Sequence, residues 1–384
     1  MGIRLHSESI ISLAIEKTGL DDFGGRTFEM GLNALIDSLH NDMNLHEGIA
    51  AFFHHQIEQL LINRLEVTEL VKNKPDILNE KIEQPLFIVG LPRSGTTLLQ
   101  TLLSLDPASR YLRNFETTGP FCPPAELIPE SVDTRIQACH EGMKSFFTAA
   151  PVLKGINGIN FVSQGPAECQ NLMAHEFVHL GWSAGSSLFS HGNWVGDCDM
   201  KPAYQWHKRL LKVLQWKLPN ERWILKAPMH LFGLDILLET YPDAKILFTH
   251  RNAFDAMTSG ISMVYHWTRF TTGHADAQAI ACWYPFLWAK GLKNALSFKK
   301  DLLPGQCLDV FHQELCDNPV KTVEEIYDFL GIMLSKGAKK RMLTWLKDHP
   351  RSLYGGHDYN PETYGLNLKK EKERFEFYHD QYDL

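Results

Sequence analysis

Leu86-Phe-Ile-Val-Gly90-Leu-Pro-Arg93-Ser-Gly-Thr-Thr97-Leu-Leu-Gln-Thr-Leu-Leu-Ser-Leu105 is the stretch on which the fold turns. Its first five residues are a continuous apolar run without polar alternation, the pattern of a strand covered on both faces. A loop of small residues follows. Thr96 to Leu105 then carries helical content and stops at Asp106-Pro107, where the proline cannot continue a helix. Gly90 and Gly95 have the spacing of G-x-x-x-x-G-K-[ST], but Thr96 stands where the lysine belongs. In nucleoside triphosphatases that lysine reaches the β- and γ-phosphates and the next hydroxyl holds Mg²⁺. A loop whose basic group is Arg93 suits a different anion, one with no γ-phosphate. Backbone amides and the positive helix terminus still favour a 5′-phosphate there. The plain alternative is a tight turn capped by a serine or threonine.

Working outward, a second strand-helix-strand unit begins at Arg222. Strand Arg222 to Lys226 precedes a helix from about Pro228 to Tyr241, a turn at Pro242-Asp243, strand Lys245 to His250 and a helix from about Asn252. Alternating strands and helices imply an α/β fold with a central parallel sheet and right-handed crossovers. Residues 1–80 carry apolar spacing of three and four, as at Ile49, Phe53, Ile57, Leu61 and Leu65, and read as a helical N-terminal layer. Residues 119–129, with prolines at 120, 123, 124 and 129, read as irregular, and 132–150 and 166–188 as helical. The tail from 351 is rich in glycine and tyrosine, then charged.

The chain has 384 residues, 44% hydrophobic and 22% charged, an ordinary globular mixture. A net charge of −7 argues against a general nucleic-acid surface, so any anion site must be local. No apolar run approaches the ~20 residues that span a bilayer. The 7 cysteines are scattered, with no Cys-x-x-Cys, which reads as reduced thiols of a cytoplasmic protein.

The loop resembles that of sulfotransferases that use 3′-phosphoadenosine-5′-phosphosulfate (PAPS), especially the bacterial-type branch and the tyrosylprotein sulfotransferases, whose loops read Pro-Arg-Ser/Thr-Gly-Thr-Thr. The likeness covers most of residues 10–380. It implies the P-loop-like sulfotransferase fold, with 1–84 as a helical extension packed on the core and 85–384 as the α/β domain, including a C-terminal segment over the nucleotide. It further implies that Arg93, Ser94, Gly95, Thr96 and Thr97 bind the 5′-phosphosulfate. In this family a strand-end arginine and a serine eight residues later grip the 3′-phosphate, and Arg251 and Ser259 have that spacing. Independently, an arginine fork matches phosphate oxygens, and a serine two turns along a helix can face the same cleft. Asn252-Ala253 departs from the Asp-Pro that many members carry.

Sulfuryl transfer to a hydroxyl needs a base and cations for the developing charge. Arg93 and Lys226 are the cations, Lys226 matching the catalytic lysine of the tyrosylprotein enzymes' Lys-Asp-Pro. Three residues are candidate bases. Glu116 lies where the tyrosylprotein enzymes keep their catalytic glutamate and is the first choice; Glu168 resembles another acidic position of the bacterial branch; His230 has a suitable intrinsic pKa. Each also has a bland reading as a cap or an ion pair.

His175-Glu-Phe-Val-His179 is a literal H-E-x-x-H, a zinc pattern when both histidines share one helix face. The extended form fails, because Trp182 and Gly185 stand where a glycine and a third histidine are required. A ligand such as Asp197 would have to complete it. The histidines are expected to line the acceptor cleft or sit in the core, with no metal. PAPS as donor, adenosine 3′,5′-bisphosphate (PAP) as product and a small-molecule, carbohydrate or lipid hydroxyl as acceptor complete the expectation; a homo-oligomer is compatible with it. The alternatives are a P-loop kinase or nucleoside triphosphatase and a catalytically silent nucleotide-binding module.

Overall fold

The computed structural model describes residues 4–117, 121, 133–157, 162–218, 222–350 and 361–384. Apart from Phe121, the proline-rich segment expected to be irregular lies outside these residues, as does 351–360 of the tail.

Five strands form one parallel sheet: β1 (Leu86–Gly90), β2 (Ser109–Tyr111), β3 (Arg222–Lys226), β4 (Lys245–His250) and β5 (Cys307–Phe311). The order is β2-β3-β1-β4-β5, so the chain leaves central β1 toward one edge and later builds out toward the other through β4. Such a switch of direction opens a crevice at the carboxyl ends of the central strands. Every residue of β1 is buried. Leu86 and Ile88 join Ile224, Leu247 and Val310 on one face, while Phe87 and Val89 join Leu225, Ile246 and Phe248 on the other. The unbroken apolar run is thus the period-two alternation of a strand with two apolar sides.

The helical prelude consists of Ser7–Thr18, Phe28–Asn41 and Glu47–Asn73, closed by a 3₁₀ turn at Pro75–Asn79. Its apolar faces share a core cluster with Phe177 and Leu188 from the body of the chain. Arg64 pins the two together. It is fully buried, donating to Glu176 Oε1 and the His175 carbonyl, both at 2.7 Å, and to the Phe23 carbonyl at 3.2 Å. Its guanidinium lies 4.0 Å from the Trp206 ring centroid and 4.7 Å from that of Phe28. Burial lowers the Arg64 pKa to about 10 while Glu176 opposes the shift, so the group stays charged at neutral pH.

The reading of 132–150 corresponds to the helix Thr134–Ala149. That of 166–188 needs correction. Instead of one helix there are Gln170–Met173, a 3₁₀ turn at Ala174–Glu176 and Leu180–Ser186, broken by Phe177 at φ 57°. The helix expected over 228–241 is likewise divided at Gly233 into a 3₁₀ turn, Pro228–Phe232, and a helix, Leu234–Thr240.

Removing one partner of a buried ion pair leaves the other charge uncompensated. Arg64→Met should therefore cost about 3–5 kcal/mol in urea unfolding, and adding Glu176→Gln should recover part of the loss. Equal midpoints for wild type and Arg64→Met would rule out this pin.

Candidate active site

The phosphate loop joins β1 to the helix Thr96–Ser104. A Cβ on Gly90 would lie 2.1 Å from Thr249 Oγ1 and 2.6 Å from the Thr249 carbonyl, so only glycine allows β1 to end this close to β4. Gly95 has φ 90° and caps the following helix. Arg93, which is not glycine, also holds a left-handed φ of 68°. Such a conformation costs on the order of 1–3 kcal/mol and needs surrounding bonds to hold it. One of these is a 2.7 Å bond from Arg251 to the Arg93 carbonyl. Ser94 is turned into the fold: its hydroxyl donates to the Leu91 carbonyl at 2.6 Å and lies 2.7 Å from Thr249 Oγ1. It shapes the loop, leaving the first-turn amides, which have no partner one helical turn back, to meet an anion.

Arg251 follows β4, and Ser259 lies on the helix Ala253–Thr272. Arg93 Nε donates to Ser259 Oγ at 3.0 Å, so the residues of the two expected phosphate sites form one continuous surface. Arg93 also reaches the Ile156 carbonyl at 3.4 Å. At the departure from Asp-Pro, Asn252 caps the helix, its side chain accepting from the Phe254 and Asp255 amides at 3.0 and 3.3 Å. The C-terminal helix Leu368–Tyr382 docks on the same corner. Tyr378 Oη accepts from the Arg251 amide at 3.3 Å and lies 3.1 Å from His250 Nδ1, while His379 Nε2 accepts from the Ala253 amide at 3.0 Å. The sequence points to the tail as a segment near the nucleotide, but nothing local in it indicates these contacts or the parts played by Thr249 and His379.

Lys226 ends β3, buried, with its ammonium paired to Glu168. The Glu168 side chain keeps 27% exposure, and its second oxygen accepts from Gln170 at 2.5 Å. The 2.9 Å bond from the Cys169 amide to the Lys226 carbonyl fixes this carboxylate beside the strand end.

The other two base candidates stand differently. Glu116 is buried in a double clamp: Arg110 and Arg113 reach Oε1 at 2.5 and 2.8 Å, while Arg110 and the Arg113 amide reach Oε2 at 3.1 and 3.0 Å. Burial alone would raise its pKa, but the two guanidiniums more than offset this and hold it below the usual carboxylate range. A carboxylate so engaged is a poor proton acceptor, so the geometry withdraws Glu116 from first place. His230 is fully buried, with Nδ1 2.7 Å from the Tyr204 hydroxyl. Burial, aided by His207 and Lys226, pushes its pKa well below normal and keeps it neutral.

The H-E-x-x-H residues do not converge. The left-handed Phe177 separates the histidines. His175 lies in the core with Nδ1 2.9 Å from the Leu172 carbonyl; Glu176 pairs with Arg64; His179 caps the Leu180–Ser186 helix by accepting from the Trp182 amide at 3.3 Å. Asp197 is engaged with Lys290.

Residues 85–336 match the sulfotransferase family. Two curated relatives, the omega-hydroxy-beta-dihydromenaquinone-9 sulfotransferases Stf3 of Mycobacterium bovis and Mycobacterium tuberculosis, are each 23% identical over 311 residues, 75% of this chain and 71% of theirs. Among solved structures, sulfotransferase STF1 of Mycobacterium tuberculosis is similar with a TM-score of 0.84 and 27% identity, over 97% of this chain and 98% of that one. Sulfotransferase STF9 of Mycobacterium avium shares the fold, with a TM-score of 0.88 and 24% identity over 98% and 97% of the two chains. The kinase and silent-module alternatives give way. A phosphate loop without the Walker lysine thus has an explanation in descent as well as in chemistry: this chain belongs to the sulfotransferase family and is an enzyme of that class.

Proposed function

We propose that the enzyme takes its sulfuryl group from PAPS and passes it in line to a hydroxyl on an apolar small molecule. The observation that carries this reading is that Arg93, Arg251 and Ser259 interlock at the carboxyl ends of β1 and β4, beside the neighbouring β3, whose last residue Lys226 is paired with Glu168. The donor set fits two phosphates. Gly90 and Gly95 keep the loop backbone bare for a 5′-phosphate, and Arg251 with Ser259 supplies a fork and a hydroxyl for a 3′-phosphate. Ser259 accepts from Arg93 and so retains its own proton to donate.

When bound, PAPS supplies an activated sulfuryl group whose leaving group is the 5′-phosphate of PAP. Arg93 and the loop amides neutralise charge on that phosphate, and Lys226 meets charge growing on the bridging oxygen. Drawing Lys226 toward that oxygen loosens its hold on Glu168, which then accepts the acceptor's proton. Glu168 is preferred to Glu116 and His230 because it alone combines partial exposure with contact to Lys226. Glu116 holds Arg110 and Arg113 in place, and His230 packs beneath the sheet edge at 5.2 Å from the Phe87 ring.

An apolar acceptor is supported by the wall beside Arg93, where Leu153 and Ile156 are packed by Phe146, Phe147, Met263 and Trp267. The menaquinone derivative in the curated relatives' name points the same way. No disulfide joins the described cysteines, which supports a reducing, cytoplasmic setting, and among the described residues no helix is long and apolar enough to cross a membrane.

PAP should bind in the low-micromolar range without added metal, each charge-assisted contact contributing roughly 1.5–3 kcal/mol. Adenosine 5′-phosphate, or PAP with Arg251→Ala, should bind at least tenfold more weakly, a difference of about 1.4 kcal/mol. Equal affinities by calorimetry would remove Arg251 and Ser259 from the 3′-phosphate.

Turnover separates the carboxylates. With an acceptor found by mass-spectrometric screening of alcohols for a sulfuryl gain, Glu168→Gln should lower kcat by ~10²–10⁴ with PAP affinity nearly unchanged. Lys226→Ala should do likewise, whereas Glu116→Gln should lower unfolding midpoints before it lowers kcat. If Glu116→Gln abolishes turnover in a fully stable protein and Glu168→Gln does not, the base is Glu116.

A further inference from the structure

Tyr284 is a buried group with no part in the mechanism above. It lies on the helix Ala277–Lys299, is 1% exposed, and its hydroxyl has no hydrogen-bond partner among the described residues. Native proteins rarely leave such a group unsatisfied, because a hydroxyl buried without a partner loses the hydrogen bonds it made to water and gains none in return. Its place in the fold is specific. The ring lies over Gly260, immediately after Ser259: a Cβ at position 260 would be 2.4 Å from Tyr284 Cε1 and 2.5 Å from its hydroxyl. The glycine therefore lets the phenol reach the helix that carries Ser259, to which Arg93 is bonded.

The neighbours point to the direction of donation. The Trp288 indole N–H is also buried without a partner, and its ring lies edge-on to that of Tyr284 with centroids 5.9 Å apart. An indole can only donate, so a phenol that accepts from it has its own O–H left to donate elsewhere. Burial pushes the Tyr284 pKa up, with Arg93 opposing and Glu168 adding to the shift, so the phenol stays protonated. The two charges it senses belong to the phosphosulfate end and the acceptor end of the proposed transfer.

We propose that Tyr284 is a catalytic hydrogen-bond donor to the sulfuryl oxygens during transfer, with Trp288 as the positioning residue behind it and Gly260 as the opening that admits it. This rests on the PAPS reading of the site. In the step, the bond from sulfur to the bridging phosphate oxygen breaks and a bond from sulfur to the acceptor oxygen forms. The acceptor's proton goes to Glu168, and Tyr284 keeps its own proton while its hydrogen bond shortens onto the sulfuryl group. Donors of this kind act on charge as it develops, and losing one typically slows an enzyme by ~10²–10³.

Tyr284→Phe tests the proposal, because it deletes one oxygen and keeps the ring. The readouts are single-turnover conversion of PAPS to PAP with water as acceptor, PAP affinity by calorimetry and thermal stability of the unliganded protein. We expect conversion to slow at least tenfold, PAP affinity to stay within twofold because PAP has no sulfuryl group, and stability to hold or rise because an unsatisfied hydroxyl is gone. Trp288→Phe should slow conversion less, in the same pattern. Conversion within twofold of wild type in Tyr284→Phe overturns the proposal. So does a slowing matched by equal losses of PAP affinity or stability, which would mark a packing role. Wild-type protein that fails to bind PAP would instead sink the underlying assignment of the site, an outcome that the calorimetry alone identifies.

Discussion

The approach of β1 to β4 at Gly90 and Thr249 is the contact on which the site depends. With no side chain at 90, Thr249 Oγ1 sits between the Val89 carbonyl and the Ser94 hydroxyl, at 3.3 and 2.7 Å. The loop is thereby fastened to the end of β4. Arg251 follows two residues after Thr249 and can reach the Arg93 carbonyl, which holds the loop's strained residue in place. Any β-carbon at position 90 would push these strands apart, and the two proposed anion sites would become unrelated surfaces. Strain at Arg93 is tolerated because its environment over-determines it.

Charge at this edge is arranged in three degrees of commitment. Glu116 is fully engaged by two arginines. Arg93 bonds to Ser259 and to the Ile156 carbonyl, and Arg251 bonds to the Arg93 carbonyl, so both guanidiniums are anchored through neutral protein oxygens. Lys226 and Glu168 are paired with each other, and in the proposed transfer an arriving negative group competes for the lysine and releases the carboxylate. The same residue types thus differ in how many of their hydrogen bonds the fold has already used.

The H-E-x-x-H segment shows that rule at work away from the site. A single left-handed residue, Phe177, turns the segment back on itself, so its members face three ways: His175 into the core, Glu176 onto Arg64 and His179 onto the next helix. The motif joins the N-terminal helices to the body of the enzyme. Two uncharged histidines and one ion pair satisfy a junction that apolar residues alone would leave without direction.

Much of the fold was legible because it follows from local patterns. The apolar run at 86–90, the glycines at 90 and 95 and the strand-helix repeats from 222 to 252 each specify geometry within a few residues of themselves, and the parallel sheet follows from their order. The absent Walker lysine, read with Arg251 and Ser259, was enough to point away from a nucleoside triphosphatase and toward the sulfotransferase family to which the chain belongs. What the sequence could not order was the three candidate bases, because Glu116, Glu168 and His230 differ only in what the fold places beside them. Arg110 and Arg113 were in plain view, yet nothing local said that both would close on Glu116. Pairing of Glu168 with Lys226, the meeting of Arg93 with Ser259 and the approach of Tyr284 to Gly260 are long-range contacts between separate elements. Such contacts depend on how helices and strands pack, and that information lies in the whole core and not in any one stretch of chain.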